Sequence, residues 1–112
     1  MANTFKLKTK AGVTTLATVY TVPSSTTTVV LGLLIGNTTS SAITSTVTIS
    51  SDTSDTETNA DVEIITTAPI PGNSSLEIMS GNKIILQAAD VIQVKSDTTN
   101  GVDAILSIME IT

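Results

Sequence analysis

The stretch VVLGLLIG, Val29 to Gly36, is a nearly unbroken apolar run in a chain otherwise crowded with Thr and Ser. Three readings compete for it: a membrane segment, a strand buried on both faces, or a patch meant for another chain. Val29 to Ile35 is seven residues, far short of the roughly 20 that a spanning helix needs. Gly32 and the following Asn37-Thr38 interrupt it further, so the membrane reading falls away. A half-buried antiparallel strand should alternate apolar and polar residues, and this one does not. The run therefore predicts a central strand covered on both faces.

Strand signals dominate on either side of it. TFKLKTK alternates, with Lys6, Lys8 and Lys10 on one side and Phe5, Leu7 and Thr9 on the other, which predicts a charged outer face and a guarded sheet edge. VTTLATVYTV is rich in β-branched residues and stops at Pro23 in a PSS turn. After the turn NTTSS, the strand AITSTVTIS sets Ile43, Ser45, Val47 and Ile49 facing one way. DVEIITT leads to APIPGNSS, read as a turn on Pro69, Pro71 and Gly72. SLEIM, KIILQA and VIQVKS follow, with a step at Ala89-Asp90, and Asn100-Gly101 makes a strong turn dipeptide. The last strand sets Val102, Ala104, Leu106 and Ile108 opposite Asp103, Ile105, Ser107 and Met109. No stretch sustains helical periodicity.

Eight or so short strands in 112 residues predict one all-β domain spanning 1–112, an antiparallel β-sandwich of jelly-roll type. A small closed barrel is the alternative. Residues 1–12 read as an N-terminal arm or edge strand, and residues 51–60, SDTSDTETNA, as an acidic solvated loop without a large apolar residue. Two strands apolar on both sides exceed what a single two-layer core needs. Cover from outside the domain is the expectation, with loops of the same chain as the alternative.

The composition excludes several function classes. Net charge is −5 with no Arg, and five Lys are a thin supply for phosphate contacts, so no nucleic-acid partner is expected. Charged residues are only 13%, while Thr and Ser supply 35 of the 112 residues. Either Thr simply suits strands, or the mostly neutral surface is one that costs little to desolvate when a subunit docks. MANTFKLKTKAG lacks the apolar segment of a secretory leader. His, Cys, Trp and Arg are all absent, which removes imidazole and thiolate nucleophile pairs and the usual zinc ligands. Glu63, Glu77, Asp90, Asp103 and Glu110 lie in or beside strands, and most are expected to point outward as solvated charges. No catalytic residue, cofactor or metal is expected. Asp52, Asp55, Glu57, Asp61 and Glu63 cluster, but EF-hand spacing and its Gly are missing, and a loop held open by self-repulsion is the reading. Two N-x-S/T matches, at Asn37 and Asn73, are what chance delivers here. With Phe5 and Tyr20 the only aromatic residues, a sugar- or base-reading surface is poorly equipped.

ATVYTVPSSTTTVVLGLLIGNTTSSAITSTVTI, together with IPGNSSLEI, KIILQAADVIQVKS and VDAILSIMEI, resembles the small β-rich virion proteins of tailed bacteriophages, including cyanophages and other marine phages. Such proteins often carry Gly before the Asp of the DVIQV step, where this chain has Ala89. The resemblance implies a non-enzymatic structural role in the virion: a capsid decoration or cement subunit, or a small neck, tail or baseplate subunit. It implies symmetric copies and other virion proteins as partners, with no membrane. Phe5, Leu7, Val30, Leu34, Ile105 and Met109 are the expected contact residues, Phe5 and Leu7 acting as an arm that pairs with a neighbour's sheet edge. The alternative is a host-surface binding module, an adhesin or fibre tip, reading through loops at one end of the sandwich.

Overall fold

A computed structural model describes residues 2–51, 61–79 and 82–112, which form nine strands and no helix. The acidic loop, apart from Ser51, lies outside the described residues. The strands are β1 (Asn3–Val13), β2 (Ala17–Thr21), β3 (Thr27–Asn37), β4 (Ile43–Ser50), β5 (Asp61–Ile70), β6 (Ser75–Glu77), β7 (Ile84–Leu86), β8 (Val91–Ser96) and β9 (Val102–Ile111). They build two antiparallel sheets. One runs β1-β9-β3-β6, with β7 also on the β3 edge, and the other runs β2-β8-β4-β5. Short β6 and β7 divide one edge position between them, and the chain changes sheet at every step from β1 to β4 before β5 pairs with β4. This is the strand order of a jelly roll.

Period-two alternation explains the core. In β9, Val102, Ala104, Leu106 and Ile108 are buried, and β4 turns Ile43, Ser45, Val47 and Ile49 the same way. They meet Val13, Val30, Leu33, Ile35, Ile70, Leu86, Ile92 and Val94 between the sheets. Asn37 closes one end. Its amide nitrogen donates to the carbonyls of Ser41 (2.8 Å) and Ile70 (3.0 Å), and its oxygen accepts from the Thr39 N–H, so the turn after β3 is tied to the end of β5.

The apolar run is a strand with one buried face. Val30 pairs with Ile108 and Gly32 with Ser107, so Leu31 has no partner on β9 and forms a β-bulge. The bulge inverts the alternation. Thr28 and Val30 are buried before it, and Leu33, Ile35 and Asn37 after it. An ordinary one-sided strand thus looks two-sided in sequence: within the domain one face is buried, and Leu34 on the other is exposed. The expectation for Val30 is corrected: at 1% exposed it lies in the core and contacts nothing outside the domain.

The lysine row is also reversed. Lys6, Lys8 and Lys10 pair across the ladder with Ile108, Leu106 and Ala104, and directly opposed residues share a face. The lysines therefore stand on the inner side of the sheet, and Phe5, Leu7 and Thr9 face outward. Two acids depart from the expected solvated placement, because Asp90 and Glu110 are buried. VTTLATVYTV divides between the end of β1 and β2. Pro69 lies inside β5, opposite Thr44, which is tolerated because β5 is a sheet edge.

Asp90 organises the turn before β8, accepting from the Ser51 hydroxyl (2.6 Å) and the Gln87 N–H (2.8 Å). Reaching this geometry puts Ala89 at φ 73°, in the left-handed region where a Cβ costs roughly 1–2 kcal/mol. Ala89→Gly relieves that strain at some cost in unfolded-chain entropy, and a net gain of about 0.5–1 kcal/mol in urea denaturation is the expected outcome. Gly72→Ala should do the opposite, since a Cβ there would stand 2.3 Å from the Ser40 carbonyl oxygen. A lower denaturation midpoint checks it.

Candidate functional site

The register of the first sheet lays its outward side chains in rows. Phe5, Met109, Val29 and Ile85 form one row across β1, β9, β3 and β7, because each pairs with the next. The next row is Leu7, Ser107 and Gly32, and the one after it is Thr9, Ile105, Leu34 and Glu77. The result is an apolar face with a low middle row between two higher ones. The described residues include seven exposed large apolar side chains, and five of them, Phe5 (71%), Leu7 (64%), Ile85 (67%), Ile105 (39%) and Leu34 (36%), share this face. Such clustering on one side of a small domain is uncommon for a face left open to water. Fully burying an exposed side chain of this size contributes roughly 1.5–3 kcal/mol, so covering Phe5, Leu7 and Ile85 alone is a substantial driving force.

A hollow interrupts the face where the bulge places Gly32. It measures about 210 Å³ and is lined by Gly32, Leu34, Glu77, Ile105 and Ser107, with Leu33 behind. No atom lies within 4 Å of where a Gly32 side chain would begin.

The outer face of the second sheet is different in kind. Thr18, Gln93, Thr48 and Glu63 form its row across β2, β8, β4 and β5. A hollow of about 500 Å³ there is lined largely by Thr15, Thr46, Thr48, Thr66 and Thr67, with Glu63 and Lys95. Two of its hydroxyls are already engaged: Thr46 accepts from the Thr67 N–H (2.9 Å), and Thr66 donates to Glu63. Leu16, 46% exposed, also lines this hollow, a single exposed apolar side chain among the hydroxyls.

Of the sequence-predicted contact residues, Phe5, Leu7, Leu34, Ile105 and Met109 come together on the apolar face, and Val30 does not. Val29 holds the place expected of Val30. Ile85 escaped the sequence reading because Ile84, Ile85 and Leu86 form an unbroken apolar run with no alternation to single it out. Asp61 and Glu63 are exposed on β5, while Asp52, Asp55 and Glu57 lie outside the described residues. Among the described residues no group of three or more carboxylates is placed to hold a metal ion.

β1 is fastened to this sheet by a polar network on its inner side. The Tyr20 hydroxyl donates to Glu110 Oε2 and has Thr28 Oγ1 at 2.8 Å. Lys6 Nζ lies 2.8 Å from Glu110 Oε1, and Lys8 Nζ sits 5.9 Å from the centre of the Tyr20 ring. The Lys6 hydrogen bond, then that from Tyr20, holds the Glu110 carboxyl below the usual carboxylate range. Burial, then the Glu110 contact, pushes the Tyr20 phenol up to about 12.

No protein-family model matches the chain, and no curated protein matches it. A solved structure described as "Bacillus endospore appendages form a novel family of disulfide-linked pili" is similar over 97% of this chain and 83% of its own, with 13% identity and a TM-score of 0.48. A likeness that distant carries no argument about role, which has to be read from the surface itself.

The network gives a pH dependence of defined sign. Glu110 has a lowered folded pKa, so its contribution is present above the ordinary carboxylate pKa and is lost as pH falls through the folded value. Tyr20 is raised, so its contribution is lost as pH climbs from about 10 toward about 12. Glu110→Gln should flatten the acid limb of urea stability against pH, although Asp97, lowered by the Thr44 N–H, keeps some slope. Tyr20→Phe should remove the alkaline loss and cost about 1–3 kcal/mol at neutral pH.

Proposed function

We propose that the chain is a non-enzymatic structural subunit of a tailed-phage virion that works by subunit packing, as a capsid decoration or cement protein or as a small neck, tail or baseplate subunit. The observation that carries this reading is the apolar outer face on which Phe5, Leu7, Leu34, Ile85 and Ile105 are gathered. The face is broad and lacks the enclosed, polar-lined geometry of a small-molecule site. Burying it against another subunit supplies affinity without charge pairing, in keeping with a chain in which only 13% of residues are charged. The compact β-sandwich and the resemblance of its strand segments to small phage virion proteins support the same role. Its partners are then other virion proteins and copies of itself, and its location is the particle.

Reconstitution tests the reading. Labelled protein added to purified particles lacking it should bind in a fixed copy number, read by quantitative gel or mass spectrometry. Phe5→Asp should abolish binding while shifting urea stability by less than about 0.5 kcal/mol, because the ring is exposed. Thr18→Asp, on the opposite outer face, should bind normally. Equal binding by both variants would overturn the assignment of this face, and no binding by the unmodified protein would overturn the packing role.

A further inference from the structure

We propose that two copies of the chain pair face to face about a two-fold axis lying along β9, each inserting Leu7 into the hollow at the other's Gly32. The inference rests on the packing role above and names its partner as a second copy.

The geometry follows from the row Leu7, Ser107 and Gly32. Leu7 and Gly32 sit in register on the two strands flanking β9, each about 5 Å from it. Rotation by half a turn about an axis along β9 exchanges those positions. It brings β1 of one copy over β3 of the other, and Leu7 over Gly32, twice. Leu7 is 64% exposed, a knob without a socket in its own chain. Gly32 has open space in the side-chain direction and lines a hollow of about 210 Å³, room for an isobutyl group. Ser107, at the axis, is small enough to let the two sheets approach. In the same operation Phe5 falls over Val29 and Thr9 over Leu34, while Ile105 and Met109 each meet their own copy at the axis and set the separation of the sheets.

Two carboxylates stand on this face: Glu77, which lines the hollow, and Asp103. Lys6, Lys8 and Lys10 point to the inner side, away from it. Asp103, the one carboxylate on the outward side of β9, accepts from the Gly12 N–H at 2.9 Å and lies at the end of the strip, where the two-fold sets it opposite its own copy. The sheets meet aligned, as face-to-face sheets do. Three strands overlap over about 15 Å by 33 Å, roughly 500 Å² of face per copy and about 1,000 Å² in total. That is the lower bound for a specific interface, so the pair should form in a concentration-dependent way.

Light scattering over a concentration series tests this. The unmodified chain should pass from monomer to dimer. Gly32→Leu should stay folded, since nothing occupies that space, and should remain monomeric because the socket is filled. Leu7→Ala should move the dimer midpoint at least tenfold higher. The double variant Leu7→Ala with Gly32→Leu moves the knob to the other side of the same contact and should restore dimers to within tenfold of the unmodified chain. Because the chain has no cysteine, Ser107→Cys should be joined into dimers by a short bis-maleimide, and Thr18→Cys should not. A chain monomeric throughout, or a double variant no better than Gly32→Leu, overturns the pairing. If that monomer still joins particles, the pairing alone has failed; if it joins none, the packing role fails as well.

Discussion

Leu31 stands in β3 without a partner on β9, and the side chains on its two sides therefore alternate in opposite phase. Everything on the first sheet depends on this displacement. It turns Val30 and Leu33 both inward, although their spacing would otherwise set them on opposite faces, and it leaves Val29, Gly32 and Leu34 on the outer side. An extra residue accommodated in one strand is a local cost that the surrounding ladder offsets. Here it allows a strand of almost continuous apolar residues to serve two surfaces: one sealed in the core, one presented outward with a glycine hollow in it.

The position of β9 between β1 and β3 does the rest. β1 is an edge strand whose outer residues are exposed, and a bare edge of this length invites uncontrolled pairing. Its inner side carries the answer. Lys6 and Lys8 hold the strand against the buried Glu110 and Tyr20, and three lysines in a row discourage a second β1 from adding to the edge. Phe5 and Leu7 are thus presented on a fastened strand rather than on a free arm, which limits the ordering cost of covering them.

The two outer faces divide the labour of the surface. Thr, Gln, Glu and Lys on the second sheet satisfy one another or meet water, and no large apolar row forms there. The first sheet gathers most of the exposed apolar area into one strip. With so few charges in the chain, its polar surface is made mostly of hydroxyl groups.

What the sequence determined by itself was local. Period-two alternation in β9 and β4 is written residue by residue, as are the turns at Asn100-Gly101 and Pro23-Ser24-Ser25, where Asn100 and Ser25 take φ of 52° and 54°. These depend only on a residue and its near neighbours, and they suffice for an antiparallel sandwich. The side of the sheet on which each alternating set lies is not local. Lys6 and Phe5 fall on opposite faces in any strand, but only the ladder with β9 says which face meets the core. The same holds for Val30 against Val29, since the unpaired Leu31 exists only by reference to a strand some seventy residues away in the chain. Tertiary pairing therefore decided the apolar face, joining Phe5, Met109, Val29 and Ile85 from four separate strands. Its physical reason is that register across a sheet is set by hydrogen bonds between distant segments, and a one-residue shift moves every later side chain to the other side.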